Sequence, residues 1–175
     1  MAKIQNVLVA LTLATTATSA LADGAAPPKE VKDMSCLIGN WKVKGSITMG
    51  TDKAPVAGTF KCAWLPSQWG VQCDGDITGV PGLPHYLERD LMGFEPNSRK
   101  YHWYAITNAG ETHDHVADVP SGNDIRFVYT GTQDGKPMKE VIDWSFAADG
   151  KSLHLRSETF VDGASVAVFE VDGKK

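Results

Sequence analysis

Gly39-Asn40-Trp41-Lys42-Val43-Lys44-Gly45-Ser46-Ile47-Thr48-Met49 decides the fold. Trp41, Val43, Gly45, Ile47 and Met49 alternate with Lys42, Lys44, Ser46 and Thr48. A period of two puts one set on a buried face and the other on a wet face, the signature of an antiparallel strand. The same period recurs in Val56–Trp64 and Trp69–Ile77. Further strands are expected over His85–Glu95, Arg99–Thr107, Glu111–Val119, Asp124–Gly131, Lys136–Ala147, Lys151–Phe160 and Ala164–Val171. Between them lie turn residues: Asp52-Lys53-Ala54-Pro55, Pro81-Gly82-Leu83-Pro84, Glu95-Pro96-Asn97-Ser98, Asn108-Ala109-Gly110, Pro120-Ser121-Gly122-Asn123, Asp134-Gly135, Ala148-Asp149-Gly150 and Asp162-Gly163.

Short connections without crossover helices exclude parallel α/β folds. The expectation is an all-β, antiparallel up-and-down barrel of about ten strands, a packed sandwich being the alternative. Upstream of Gly39 the periodicity is helical. Val31, Met34, Leu37 and Ile38 share a face over Lys29–Ile38, after Pro27-Pro28 and before a Gly. Such a short helix is long enough to cap one end of a barrel.

Residues 1–22 carry one early positive charge, Lys3, then the apolar run Val7–Ala14 and the small-residue ending Ala20-Leu21-Ala22. That order is the pattern of a secretory signal peptide. The run is shorter than the ~20 apolar residues of a membrane span. Cleavage near Ala22 would leave a chain one unit more acidic, in the periplasm or outside the cell. The organisation expected is a leader over 1–22, a linker and short helix over 23–38, and a barrel over 39–175.

The leader bears on Cys36, Cys62 and Cys73, which would then meet an oxidising space. Three Cys allow three pairings and leave one thiol over. Folding Lys61–Cys73 as a hairpin about Ser67-Gln68 sets Cys62 opposite Cys73. Opposed residues of a non-hydrogen-bonded pair approach to about 4.5 Å between Cα atoms, within disulfide reach. A one-residue slip or a bulge would undo that pairing, and three separate buried thiols are the alternative.

The chain has 175 residues, 42% of them hydrophobic, and a net charge of −4. That apolar fraction excludes a disordered chain, and the acidic balance argues against a nucleic-acid partner. The expected partner is a small apolar or amphipathic molecule.

Several pieces resemble a known group. Leu37-Ile38-Gly39-Asn40-Trp41, the hairpin near Trp64–Asp76, Gly79-Val80-Pro81-Gly82, and Met92-Gly93-Phe94-Glu95-Pro96 followed by Arg99-Lys100-Tyr101 resemble a bacterial family of lipocalin-like barrels described as a domain of unknown function. The G-x-W at Gly39–Trp41 is also similar to the start of calycin-type barrels such as lipocalins and nitrobindins. The resemblance implies a barrel with a hydrophobic pocket and no established reaction. Lipocalins commonly place an Arg near the barrel's end against that Trp. The last strand, Val166–Val171, has none, and Arg156 is the nearest substitute.

If the barrel is hollow, its core is also its pocket wall. The candidate ligand-contacting residues are Trp41, Phe60, Trp64, Tyr86, Glu88, Trp103, Phe127, Tyr129, Glu140 and Trp144. Glu88 and Asp90 share the parity of Tyr86 and Met92, and Glu140 shares that of Met138 and Trp144. Inward-facing carboxylates could bind a polar head group or act in acid–base chemistry. Bulges in curved sheets weigh towards the other arrangement, in which they turn out to solvent.

His113 and His115 share one face of a strand and could chelate a metal, with His102 as a third ligand if a hairpin about Asn108-Ala109 sets it opposite His115. A solvated face is the alternative for all three. No cofactor is expected outright; haem or a divalent metal is the secondary reading. His154, on a late strand like the haem ligand of nitrobindins, shares its face with Arg156 and Glu158 and reads as outward-facing. No nucleophile motif occurs. A third reading makes the Thr78–Pro84 loop a grip for another envelope protein.

Overall fold

A computed structural model describes residues 26–120 and 122–175. The leader reading of residues 1–22 lies outside the described residues. Ten strands follow a short helical segment: β1 Gly39–Met49, β2 Asp52–Trp64, β3 Gly70–Thr78, β4 Tyr86–Glu95, β5 Lys100–Thr107, β6 Thr112–Asp118, β7 Asp124–Gln133, β8 Lys136–Phe146, β9 Ser152–Val161 and β10 Ala164–Lys174. Each pairs antiparallel with its chain neighbours, and β1 pairs with β10 to close the barrel. Closure gives every strand two neighbours, so no strand stands at a free edge of the sheet. The architecture is consistent with a calycin-like fold.

Alternation dictates what fills the interior. Trp41 and Val43 of β1, Val71, Cys73 and Ile77 of β3, Trp103 of β5, Phe127 of β7, Ile142 and Trp144 of β8, and Leu153 and Leu155 of β9 are all buried. The outer face carries cross-strand pairs such as Arg89–Asp74 and Arg126–Asp143 at 2.7 and 2.6 Å.

The helical segment is shorter in its α form than the periodicity predicts. Helix α1 spans Lys29–Asp33, a 3-10 turn continues over Met34–Leu37, and Ile38 is already extended. Val31, Met34 and Leu37 are buried against the end of the barrel where β1 begins, termed the lower end. Polar contacts tie this cap down. Trp41 Nε1 donates to the Leu37 carbonyl at 2.7 Å, Tyr101 Oη to the Glu30 carbonyl at 2.8 Å, and Lys175 Nζ to the Cys36 carbonyl at 3.0 Å. The Lys175 ammonium also lies 4.5 Å from the Trp41 ring centroid. A cation therefore does cover the G-x-W tryptophan, supplied by Lys175; Arg156 instead pairs with Glu158 at 2.8 Å.

Cys62 and Cys73 are direct partners in the β2–β3 register and form a disulfide, while Cys36 is a free thiol. Two sequence expectations fail locally. Trp69 is 42% exposed, because the buried run of β3 starts with Gly70 and Val71 after the turn. The stretch Asp52–Pro55 belongs to β2, and the reversal falls on Gly50-Thr51. Gly50 has φ +60°, the left-handed backbone that such a tight turn requires. Pro55 is tolerated because β2 there extends beyond β3, whose pairing with it begins at Ala57↔Thr78.

One seam differs from the rest. β6 and β7 share a single paired position, Val116↔Val128, where other neighbours share runs of seven or more. Side chains bridge this gap at the end of the barrel away from the helix.

Candidate functional site

Two cavities lie inside, one towards each end. The upper one has a volume of about 340 Å³. Its wall is mostly apolar, from Ile47, Phe60, Ile77, Ile142, Leu155 and Phe169, and Val80, Pro81 and Leu83 of the β3–β4 loop sit at its rim. The lower one, about 560 Å³, lies between the cap and the barrel and includes Met34, Leu37, Met92, Phe127 and Trp144. Between them stands an aromatic cluster. Trp103 packs edge-on against Phe127 and Trp144, with centroids 5.4 and 5.0 Å apart.

The aromatic residues expected to line a pocket therefore separate into groups. Phe60, Tyr86 and Trp103 line the upper cavity, and Phe127 and Trp144 the lower. Trp41 is buried under the cap, Trp64 is half-buried against the core, and Tyr129 is half-buried beside His113.

Polar side chains gather on one side of the upper cavity, because β4, β6, β8 and β9 keep strict alternation there. Glu88, His113, His115, Glu140 and Ser157 all face it. The bulge expected to turn the carboxylates outward is absent from β4 and β8; the register shift lies in β10, between Ser165 and Ala167. His115 is 2% exposed. Its Nε2 lies 2.8 Å from Glu140 Oε2, and its Nδ1 lies 3.3 Å from the Trp103 carbonyl. Both partners are acceptors, so Nδ1 is placed to donate to the carbonyl and Nε2 to the Glu140 carboxylate. His113 Nδ1 lies 3.4 Å from the same carboxylate oxygen, and its ring stacks on Tyr129 at 3.9 Å between centroids. Ser157 Oγ donates to Glu140 Oε1 at 2.7 Å.

Electrostatics follow from this packing. Burial pushes the Glu140 carboxyl up, but hydrogen bonds with His113, His115 and Ser157 together prevail and bring it down to about 2. Glu88 has only the smaller opposing pull of the Tyr86 hydroxyl. Burial first, then the charges of Asp90, Glu140 and Glu111, push it well above the usual carboxylate range. Its side chain fits inward because Gly75 opposes it; a Cβ on Gly75 would come within 2.6 Å of Glu88 Cγ. Tyr86 Oη donates to Glu111 Oε2 at 3.2 Å, and burial raises its pKa.

Asp90, 1% exposed, is level with the aromatic cluster. Burial pushes it up to about 7, against the smaller opposing pull of the Trp103 indole and of His115. Neither Asp90 Oδ1 nor the Nε1 of Trp103 or Trp144 makes a geometrically complete hydrogen bond.

His102 is not part of this group. The β5–β6 hairpin closes through the three-residue loop Asn108-Ala109-Gly110, with Gly110 at φ +89°. The register then places Trp103 opposite His115 and His102 opposite Val116, one residue from the expected pairing. His102, next to the inward Trp103, takes the opposite face from His115 and lies outside, 3.1 Å from Asp114. His154 is outside as well, 3.0 Å from Asp172 Oδ1. The third polar partner of His113 and His115 is Glu140 on β8, which shares no pairing with β6. Its inward parity was the available signal; its place across the cavity is a property of closure.

No helix among the described residues is long and apolar enough to cross a membrane, which says nothing of strands. No family model matches the chain, and no curated protein matches it.

Proposed function

We propose that the barrel binds a small, mostly apolar molecule in its upper cavity, with the polar end of that molecule against the His113–His115–Glu140 side. The supporting observation is the division of the wall. An apolar surface from Phe60, Ile77, Ile142, Leu155 and Phe169 adjoins a compact polar group within a space of about 340 Å³. Binding sites for small molecules are concave, mostly apolar and carry a few convergent polar groups. No reaction is assigned.

Membership in the lipocalin-like group is part of the same proposal, supported by the G-x-W opening and the closed barrel. So is an extracytoplasmic location, supported by the leader-like residues 1–22 and by the Cys62–Cys73 disulfide.

Titration with an environment-sensitive apolar dye tests the binding. Saturable one-to-one uptake by the folded protein is expected. Ala167→Trp, which places a large ring at the half-buried Ala167 on the cavity wall, should weaken uptake at least tenfold with little effect on folding. A folded barrel that takes up neither dye nor any co-purifying small molecule in native mass spectrometry would sink this reading.

A further inference from the structure

We infer that His113, His115 and Glu140 form a site for one divalent transition-metal ion of the zinc type, on the wall of the upper cavity. The inference stands apart from the apolar-ligand reading, since its probe is the metal alone.

Four observations carry it. First, one ligand atom from each residue lies within 4.8 Å of the other two. A tetrahedral zinc ion with bonds of 2.0–2.1 Å holds its ligand atoms about 3.3 Å apart. The His113 Nδ1–Glu140 Oε2 separation of 3.4 Å already matches, and the 2.8 Å between His115 Nε2 and Glu140 Oε2 needs to open by about 0.5 Å.

Second, each of the three side chains is supported by a neighbour. Metal-ligating imidazoles typically give their other ring N–H to a carbonyl or carboxylate, which fixes tautomer and orientation. The Trp103 carbonyl takes that position behind His115, Ser157 Oγ holds the far oxygen of Glu140, and Tyr129 fixes the plane of His113 by stacking.

Third, among the described residues the side chains lining the cavity include Glu88, Glu111 and Glu140 but no Lys or Arg. A bound cation would meet no fixed positive charge on that wall.

Fourth, the group opens on the cavity, which leaves room for further ligands. Three protein donors with an open side are the arrangement of reactive rather than purely structural zinc sites. Two imidazoles select a borderline transition ion over Ca²⁺ or Mg²⁺, which prefer all-oxygen shells.

The test uses protein prepared without a histidine tag and stripped with chelator, titrated with Co²⁺ by visible absorption and with Zn²⁺ by calorimetry. One equivalent of either metal should bind, cobalt with ligand-field bands that Zn²⁺ displaces. Glu140→Gln should weaken Zn²⁺ binding at least tenfold, and His113→Ala combined with His115→Ala should abolish it. Ser157→Ala, which removes a supporting hydrogen bond and no ligand, should weaken it by roughly tenfold. His102→Ala and His154→Ala, on the outer face, should change nothing. Near-UV circular dichroism of the Trp103–Phe127–Trp144 cluster reports whether each variant is folded.

Failure of the folded wild type to bind Zn²⁺ or Co²⁺ would show an internal imidazole–carboxylate pair only and overturn the inference. Stoichiometric binding that survives the double His variant would overturn it equally. Neither result touches the dye titration, so the two proposals fail separately.

Discussion

The two ends of the barrel use polar residues in opposite ways. At the lower end, Trp41, Tyr101 and Lys175 each reach a backbone carbonyl of the N-terminal segment, and the disulfide staples the adjoining hairpin. Every one of those groups joins one piece of chain to another. At the upper end, His113, His115, Glu140 and Glu88 converge on a cavity whose wall, among the described residues, carries no Lys or Arg. The lower cavity is the larger, about 560 against 340 Å³. Size is therefore the weaker guide to function here; what the polar atoms are aimed at separates closure from a site. Variants at the lower end should thus lower stability and spare the site, and variants at the upper end the reverse.

The largest expected effect is Trp41→Ala. Truncating a fully buried Trp costs about 3–5 kcal/mol, and here the hydrogen bond to Leu37 and the seat of Lys175 go with it. Urea unfolding should show the loss, while dye uptake below the transition stays near wild type. Loss of uptake in the folded variant would mean that the ends are coupled through the aromatic cluster.

Asp90, between the ends, should respond to pH. Its folded pKa of about 7 stands above the ordinary 3.8. Between those values the folded chain holds a proton that the unfolded chain has lost, so stability falls as pH rises through that window and stays low above it. Asp90→Asn removes the penalty. At pH 8 the variant should be more stable than wild type, by at most about 4 kcal/mol, and the gap should close towards pH 4. A gap independent of pH would place the effect in packing instead.

Removing the disulfide should cost about 3 kcal/mol, the chain-entropy value for a short loop; Cys62 and Cys73 are 11 residues apart. Cys62→Ser combined with Cys73→Ser and thermal unfolding measure it. A reduced barrel as stable as the oxidised one would show that the β2–β3 register needs no staple.

Lys175→Ala is the smallest. An exposed cation over an aromatic ring contributes about 0.5–1 kcal/mol. A loss well beyond that, in urea titrations, would mean that Lys175 closes the barrel rather than dressing its end. At the upper end, amide hydrogen exchange should be fastest along β6 and β7, which share one paired position.

Much of the fold was legible because alternation is local. Inward parity could be read for Trp103, Phe127, Trp144 and Leu155 without knowing their neighbours, and the Cys62–Cys73 pairing needed only one short hairpin. Parity also put His113 with His115, and Glu88 with Asp90. Trp69 failed because alternation does not survive the turn before Gly70. Pro55 failed because its tolerance depends on where a different strand ends.

Taken alone, then, the sequence determined which side chains of a strand share a face, since successive residues must point to opposite faces, and left open whether His113, His115, Glu88 and Glu140 turn inward. It also determined the short antiparallel connections and the helical cap. Tertiary structure decided the rest. The three-residue Asn108–Gly110 loop set a register that pairs His115 with Trp103 rather than with His102. Closure of β1 on β10 enclosed the interior, and the curvature of the sheet brought Glu140 of β8 past β7 to His113 and His115 of β6. Those groupings depend on register and curvature summed around the whole barrel, and no local stretch of chain carries that information.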